Sequence, residues 1–172
     1  ITIGERQLMN KMPEYPLQEV LKIKERRVDE AERVVKQREE ELENEKDKLL
    51  KCEQRRDKVK QHYHDKIDQL RLTLDKETTS EKIQQMRAYI DVVQEKLVVE
   101  EQKVVEQKEQ VKVAKQNLEN AKEELRQRRQ EVDKIEMHKK EWMKDMRKEL
   151  ELKEALELDE VGIVMHITKK NM

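Results

Sequence analysis

Residues 83–132 read IQQMRAYIDVVQEKLVVEEQKVVEQKEQVKVAKQNLENAKEELRQRRQEV, and within them Ile83, Ile90, Leu97, Val104, Val111, Leu118, Leu125 and Val132 recur at strict intervals of seven. A second seam follows the first at Met86, Val93, Glu100, Gln107, Ala114, Ala121, Arg128 and Ile135. An apolar period of seven is shorter than two turns of a straight α-helix, so the stripe stays on one side only if helices supercoil left-handedly with knobs-into-holes packing. The first half of the chain carries the same pattern. A walk in alternating steps of four and three from Leu17 visits Leu21, Lys24, Val28, Ala31, Val35, Arg38, Leu42, Glu45, Leu49, Cys52, Arg56, Val59, Tyr63, Lys66, Leu70, Thr73 and Glu77. Eleven of those eighteen positions are apolar. Ile67 and Leu74 suggest a drift of the stripe toward its end.

Between the halves stands Asp75-Lys76-Glu77-Thr78-Thr79-Ser80-Glu81. Thr78 and Glu81 have the spacing of a capping box, with Ser80 as a competing N-cap. This reads as a short turn and a fresh helix start; the alternative is one unbroken helix, since Thr and Ser cost only tenths of a kcal/mol each. The expected fold is therefore all-α, two long helices forming an antiparallel coiled-coil hairpin. Helix one covers about 17–77, the turn about 78–80 and helix two about 80–159, giving ~90 Å and ~120 Å at about 1.5 Å per residue. Pro13 and Pro16 sit where the first turn tolerates a missing N–H. Folding back places Leu17 beside Trp142, where Tyr15 and Pro16 meet the only tryptophan as an apolar clasp. A parallel homodimeric rod is the competing architecture. Arg38, Glu45, Arg56, Gln107 and Arg128 interrupt the seam; such polar positions set register and oligomer state. Residues 1–11 read as a leader or a disordered arm. Charge density falls after Asp159, Gly162 is a plausible helix end, and 161–172 form a C-terminal tail, either frayed or a docking segment.

Composition removes most functional classes. Charged residues make up 46% of the chain and hydrophobic ones 34%, with two glycines, whereas globular domains run near ~25% charged and ~45–50% apolar. With only Gly4 and Gly162, neither a P-loop nor a dinucleotide fingerprint can be written, and no cofactor is expected. The net charge of -1 arises from 39 basic and 40 acidic residues interleaved along the chain, unlike the basic field of a nucleic-acid binder. Arg55-Arg56 and the Arg126–Arg129 cluster are flanked by acids and read as solvated helix faces. No apolar run nears the ~20 residues that span a bilayer, so no membrane insertion is expected. His62 and His64 are two apart and face different ways on a helix, and His138 and His166 stand alone, so no metal site is expected. Cys52, the one cysteine, sits on the weaker seam as a small core residue. Carboxylate pairs are too abundant to single out catalysis, so no enzyme is expected. What remains is binding surface: Tyr63 and Tyr89 lie in the turn-proximal half, Tyr63 on the seam walk and Tyr89 as the better surface candidate.

Several stretches are more specific than a generic coiled coil. Met12-Pro13-Glu14-Tyr15-Pro16-Leu17-Gln18-Glu19-Val20-Leu21, Arg27-Val28-Asp29-x-Ala31-Glu32 and Arg56-Asp57-Lys58-Val59-Lys60-x-His62-Tyr63 are three. Lys66-Ile67-x-Gln69-Leu70-Arg71, Met86-x-Ala88-Tyr89-Ile90-x-Val92-Val93 and His138-Lys139-x-Glu141-Trp142-Met143-Lys144 are three more. With Thr78-Thr79-Ser80, they resemble the chlamydial branch of the YscO/FliJ family of type III secretion stalk proteins, over about residues 12–160. The resemblance implies a monomeric antiparallel coiled coil, cytoplasmic at the base of the secretion apparatus. It implies as partners a hexameric secretion ATPase, the cytoplasmic ring of the export gate and, for some members, translocator chaperones. On that reading Arg56, His62, Tyr63, Arg87 and Tyr89 contact the export gate, and Tyr15, Leu17 and Trp142 lie near the ATPase. The rival function is a structural homodimeric rod or spacer with no ATPase partner.

Overall fold

The computed structural model describes residues 13–76 and 79–170, with side chains to residue 163. Among the described residues there are two helices, α1 (Gln18–Leu74) and α2 (Ser80–Lys170). Residues 1–12, Glu77 and Thr78 lie outside the described residues, so the expected N-terminal arm and the Thr78 half of the capping box do too. No described helix is long and apolar enough to cross a membrane.

α1 is started by a tight turn in which Gln18 N–H donates to the Tyr15 carbonyl at 3.0 Å and Leu21 N–H to the Leu17 carbonyl at 2.9 Å. Both prolines therefore precede the helix, where their lack of an N–H leaves no carbonyl unpaired. Its end comes at Leu74, three residues before the expected Glu77. The last turn tightens, Lys76 N–H reaching the Thr73 carbonyl at 3.2 Å, while the Thr73 hydroxyl bonds back to the Gln69 carbonyl at 2.8 Å. Side chains of this kind compete for backbone groups and weaken helix continuation. α2 begins at Ser80, and Ile83 N–H donates to the Thr79 carbonyl at 3.3 Å. Thr79, not Ser80, thus holds the N-cap position, with Ser80 in the first helical place. At the far end, α2 does not stop near Asp159 but runs through Gly162 to Lys170. Gly162 has no positive φ. A glycine kept in helical geometry costs about 1 kcal/mol relative to alanine and ends nothing by itself.

The chain divides into two compact units. One consists of Glu32–Glu124, the other of Ile1–Ala31 with Leu125–Met172. In the first, the Gln107 side-chain amide donates to Glu45 across the helix pair and His62 meets Tyr89. In the second, Lys139 donates to Gln18 at 2.7 Å and Lys24 to Glu131 at 2.6 Å. Within each unit the partner number falls along α2 as it rises along α1, which is antiparallel pairing. Every walk position from Leu21 to Thr73 is buried or half-buried, and so is every seam position from Ile83 to Ile135. In the first unit Leu42, Val111 and Leu118 form a buried cluster, with Val35, Leu49 and Ala114 packed against it. Cys52 is half-buried among the seam residues. The drift reaches Ile67, which is half-buried, but leaves Leu74 exposed.

Ion pairs of the i, i+3 type run along both helices: Lys22–Glu19, Lys46–Glu43 and, reaching a seam carboxylate, Lys48–Glu45 all close at 2.6–2.7 Å. Exposed pairs of this kind each add only about 0.2–0.5 kcal/mol, so burial in the seam carries the fold. One residue opposes it. Glu100 lies on the seam with 9% exposure, Lys103 holds one carboxylate oxygen, and Oε2 is buried with no hydrogen-bond partner among the described residues. An unpaired buried acceptor is destabilising. Glu100→Leu should therefore raise the melting temperature, while Leu118→Ala should lower stability by about 2–3 kcal/mol, at the low end for buried leucines. Thermal and urea unfolding followed by circular dichroism checks both.

Candidate functional site

Two aromatic clusters stand out among the described residues. The first lies in the unit that contains the turn. His62, on α1, shares a hydrogen bond with the Tyr89 hydroxyl of α2 at 3.1 Å between Nε2 and oxygen, with the rings edge to face at 6.0 Å. Lys66, one turn beyond His62, puts its ammonium 5.7 Å from the Tyr89 ring centroid, a cation–π distance. The i, i+4 spacing of His62 and Lys66 aims both at the same tyrosine. Beside them a groove opens between the helices, lined by Lys66, Gln69, Lys82, Met86, Tyr89 and Ile90. Tyr89 is half exposed, at 49%.

The structure sorts the sequence candidates here. His62 and Tyr89 come together. Tyr63 is half-buried on the seam, with its ring 5.7 Å from that of His64. Arg56 also occupies a seam position and pairs with its neighbour Asp57 at 2.7 Å. Arg87 is exposed. Neither arginine lines the groove. Lys66 and Lys82 were not singled out in the sequence, though Lys66 follows His62 at i+4 and Tyr89 was already a surface candidate.

The second cluster lies in the other unit. Tyr15, only 5% exposed, packs edge to face on Trp142 at 5.4 Å between centroids. Its hydroxyl is hydrogen-bonded to His138 Nδ1 at 2.7 Å. His138 and Trp142 are four apart and share one face of α2, so Tyr15 reaches both at once. Sequence spacing gives His138 no polar partner, and its i, i+4 relation to Trp142 is the one signal that it shares a face with the tryptophan. Pro16 and Leu17 are exposed beside this clasp. A shallow groove lined by Pro13, Gln18, Lys22, Lys139, Trp142 and Met143 adjoins it.

Electrostatics along the helices is local. Hydrogen bonding from Lys24 holds the Glu131 carboxyl below its ordinary value, and Lys48, then Gln107, do the same for Glu45. Lys103 depresses Glu100 in the same way. Each is an ion pair or charged hydrogen bond favouring the ionised carboxylate. Among the described residues no group of three or more His, Cys, Asp or Glu is placed to hold a metal ion.

These features define the class: a two-helix antiparallel coiled coil that carries two aromatic clusters. Comparison with known proteins agrees. The profile of the YscO-like protein family matches residues 12–172. A solved structure of a YscO homolog from Chlamydia trachomatis is similar at 50% identity with a TM-score of 0.87, over 94% of this chain and 99% of that one. A comparison with curated proteins gives no match. The chain belongs to the YscO-like family and is a type III secretion-related protein.

Trp142 is the sole tryptophan and reports on its clasp directly. Tyr15→Phe should lower stability by about 1 kcal/mol through loss of the hydroxyl's bond and leave the emission maximum in place. Tyr15→Ala should shift that emission to the red, and an unshifted spectrum would contradict the contact.

Proposed function

We propose that this protein is a central stalk element of the type III secretion apparatus, coupling the hexameric secretion ATPase to the cytoplasmic ring of the export gate. Membership of the YscO-like family is the observation that carries this reading. The geometry supports it in three ways. The seam residues are consumed by pairing within one chain, which favours a monomer over the homodimeric rod and leaves other surfaces free for partners. The His62–Tyr89–Lys66 cluster and its groove offer a half-exposed aromatic with cations beside it, the composition of an interface anchor. This is the surface we assign to the export gate, with Arg56, Tyr63 and Arg87, which do not line the groove, as further candidates.

The Tyr15–His138–Trp142 clasp, with Leu17 exposed beside it, supplies a second and chemically different surface, assigned to the ATPase. Exposed valines on α2 at Val92, Val98, Val99, Val105 and Val113, on two rows of the helix among charged residues, are candidate contacts for translocator chaperones. β-Branched residues lower helix propensity, so five of them in solvent favour a binding use.

Titrating the cognate secretion ATPase with the full chain should stimulate ATP hydrolysis saturably. A Leu17→Glu/Trp142→Ala variant, which alters the assigned surface, should lose most of that stimulation while circular dichroism shows both helices retained. An unchanged hydrolysis rate with no complex formed would overturn the ATPase coupling and favour a structural spacer.

A further inference from the structure

The groove beside the turn differs from the rest of the surface in its charge pattern. Basic and acidic residues are interleaved throughout this chain, and most helical lysines with defined partners hold a carboxylate three residues earlier, as Lys22, Lys46, Lys48 and Lys103 do. Lys66 and Lys82 have no such partner. The positions three and four away from Lys66 are His62, Tyr63, Gln69 and Leu70, and those around Lys82 are Thr78, Thr79, Gln85 and Met86. None is acidic. Lys66 instead donates to the neutral Gln69 amide oxygen at 3.0 Å and faces the Tyr89 ring. Neither contact cancels its charge. Lys82 makes no ion pair with a described residue, and no carboxylate lines the groove. Beside the two cations, Met86, Tyr89 and Ile90 give the groove an apolar lining that includes an adaptable thioether, and the remaining lining residues, Gln69, Thr73 and Gln85, are neutral.

We propose that this groove receives a short acidic segment of a partner protein, its carboxylates held by Lys66 and Lys82 and an adjoining apolar side chain seated on Met86, Tyr89 and Ile90. The proposal rests on the reading that the turn-containing unit docks on the export gate, and it names the chemistry of the docked element. Two uncompensated ammonium groups beside an apolar lining match a segment with one or two carboxylates next to a Leu- or Met-like residue. A long polyanion is disfavoured, because Asp65, Asp68 and Glu81 flank the groove residues in sequence and the chain as a whole is at -1.

The test uses the full chain and its Lys66→Gln/Lys82→Gln variant, with Lys66→Arg/Lys82→Arg as the charge-retaining control and circular dichroism to verify equal helicity. Against the purified cytoplasmic domain of the cognate export gate, calorimetry should show the Gln variant weaker by about tenfold, about threefold per exposed ion pair. Its salt dependence should be shallower, and the Arg variant close to wild type. Wild-type affinity in the Gln variant, with loss only in Tyr89→Ala, would overturn the acidic assignment while leaving the gate reading intact.

A second arm separates the two claims. A labelled peptide of alternating Leu and Glu pairs, and its Leu–Gln counterpart, are titrated by fluorescence anisotropy. Binding of the Glu peptide alone, lost in the Gln variant, upholds the proposal even where the gate domain does not bind. Equal binding of both peptides, or none of either, overturns it. Lysine-dependent sedimentation with phosphatidylserine vesicles and no peptide binding would also overturn it, in favour of a membrane surface.

Discussion

Everything in this structure depends on a narrow apolar seam that two helices of one chain share in antiparallel register. Nothing else in the sequence has enough apolar surface to order it: the ion pairs are exposed and individually small, and there is no broad core. Burial at roughly 25 cal/mol per Å² must offset the ordering entropy of every residue in both helices. The seam therefore tolerates little interruption. Of the polar residues that enter it, Glu45 and Gln107 bond to each other across the pair, while Arg38 and Arg56 turn to Glu41 and Asp57 on their own helix. At Glu100, a carboxylate oxygen is left without a partner. A seam built this way fixes register through its polar members and stability through its apolar ones.

That constraint also explains where recognition chemistry resides. Most seam side chains are spent on packing, so the proposed docking surface combines flanking residues with the seam members left half-buried beside the turn, Lys66, Met86 and Ile90. Tyr89, Lys66 and Lys82 flank the seam or edge the groove beside the turn. Tyr15 instead precedes α1 and closes on His138 and Trp142. Both aromatic clusters join residues far apart in sequence through antiparallel pairing, so each exists only when the helices are zipped. On the proposed reading, docking is coupled to folding for that reason.

Much of this was legible in the sequence because a heptad is a strong periodic signal. From Leu21 to Thr73 and from Ile83 to Ile135 the walk picks the buried and half-buried residues, including the polar ones. The meeting of Tyr15 with Trp142 followed from folding the walk back on itself. Helix ends were harder, since they rest on single weak terms. α1 yields at Leu74 to competing bonds around Thr73, and α2 passes Gly162 because a lone glycine without a left-handed φ lacks the means to stop it. The partnership of His138 escaped notice because cross-helix polar contacts depend on side-chain reach, which spacing alone does not encode. The uncompensated state of Lys66 and Lys82 was written in their i±3 and i±4 neighbours, yet it acquires meaning only when the fold sets them on one groove.

The most direct test of intrachain antiparallel pairing is a pulsed electron–electron distance between spin labels at Glu45 and Gln107, in a Cys52→Ser background. These two residues are bonded across the pair. The account predicts a short interlabel distance that persists unchanged when labelled chain is diluted into excess unlabelled chain. A distance that disappears on dilution would show that the seam joins two copies, and would contradict the hairpin.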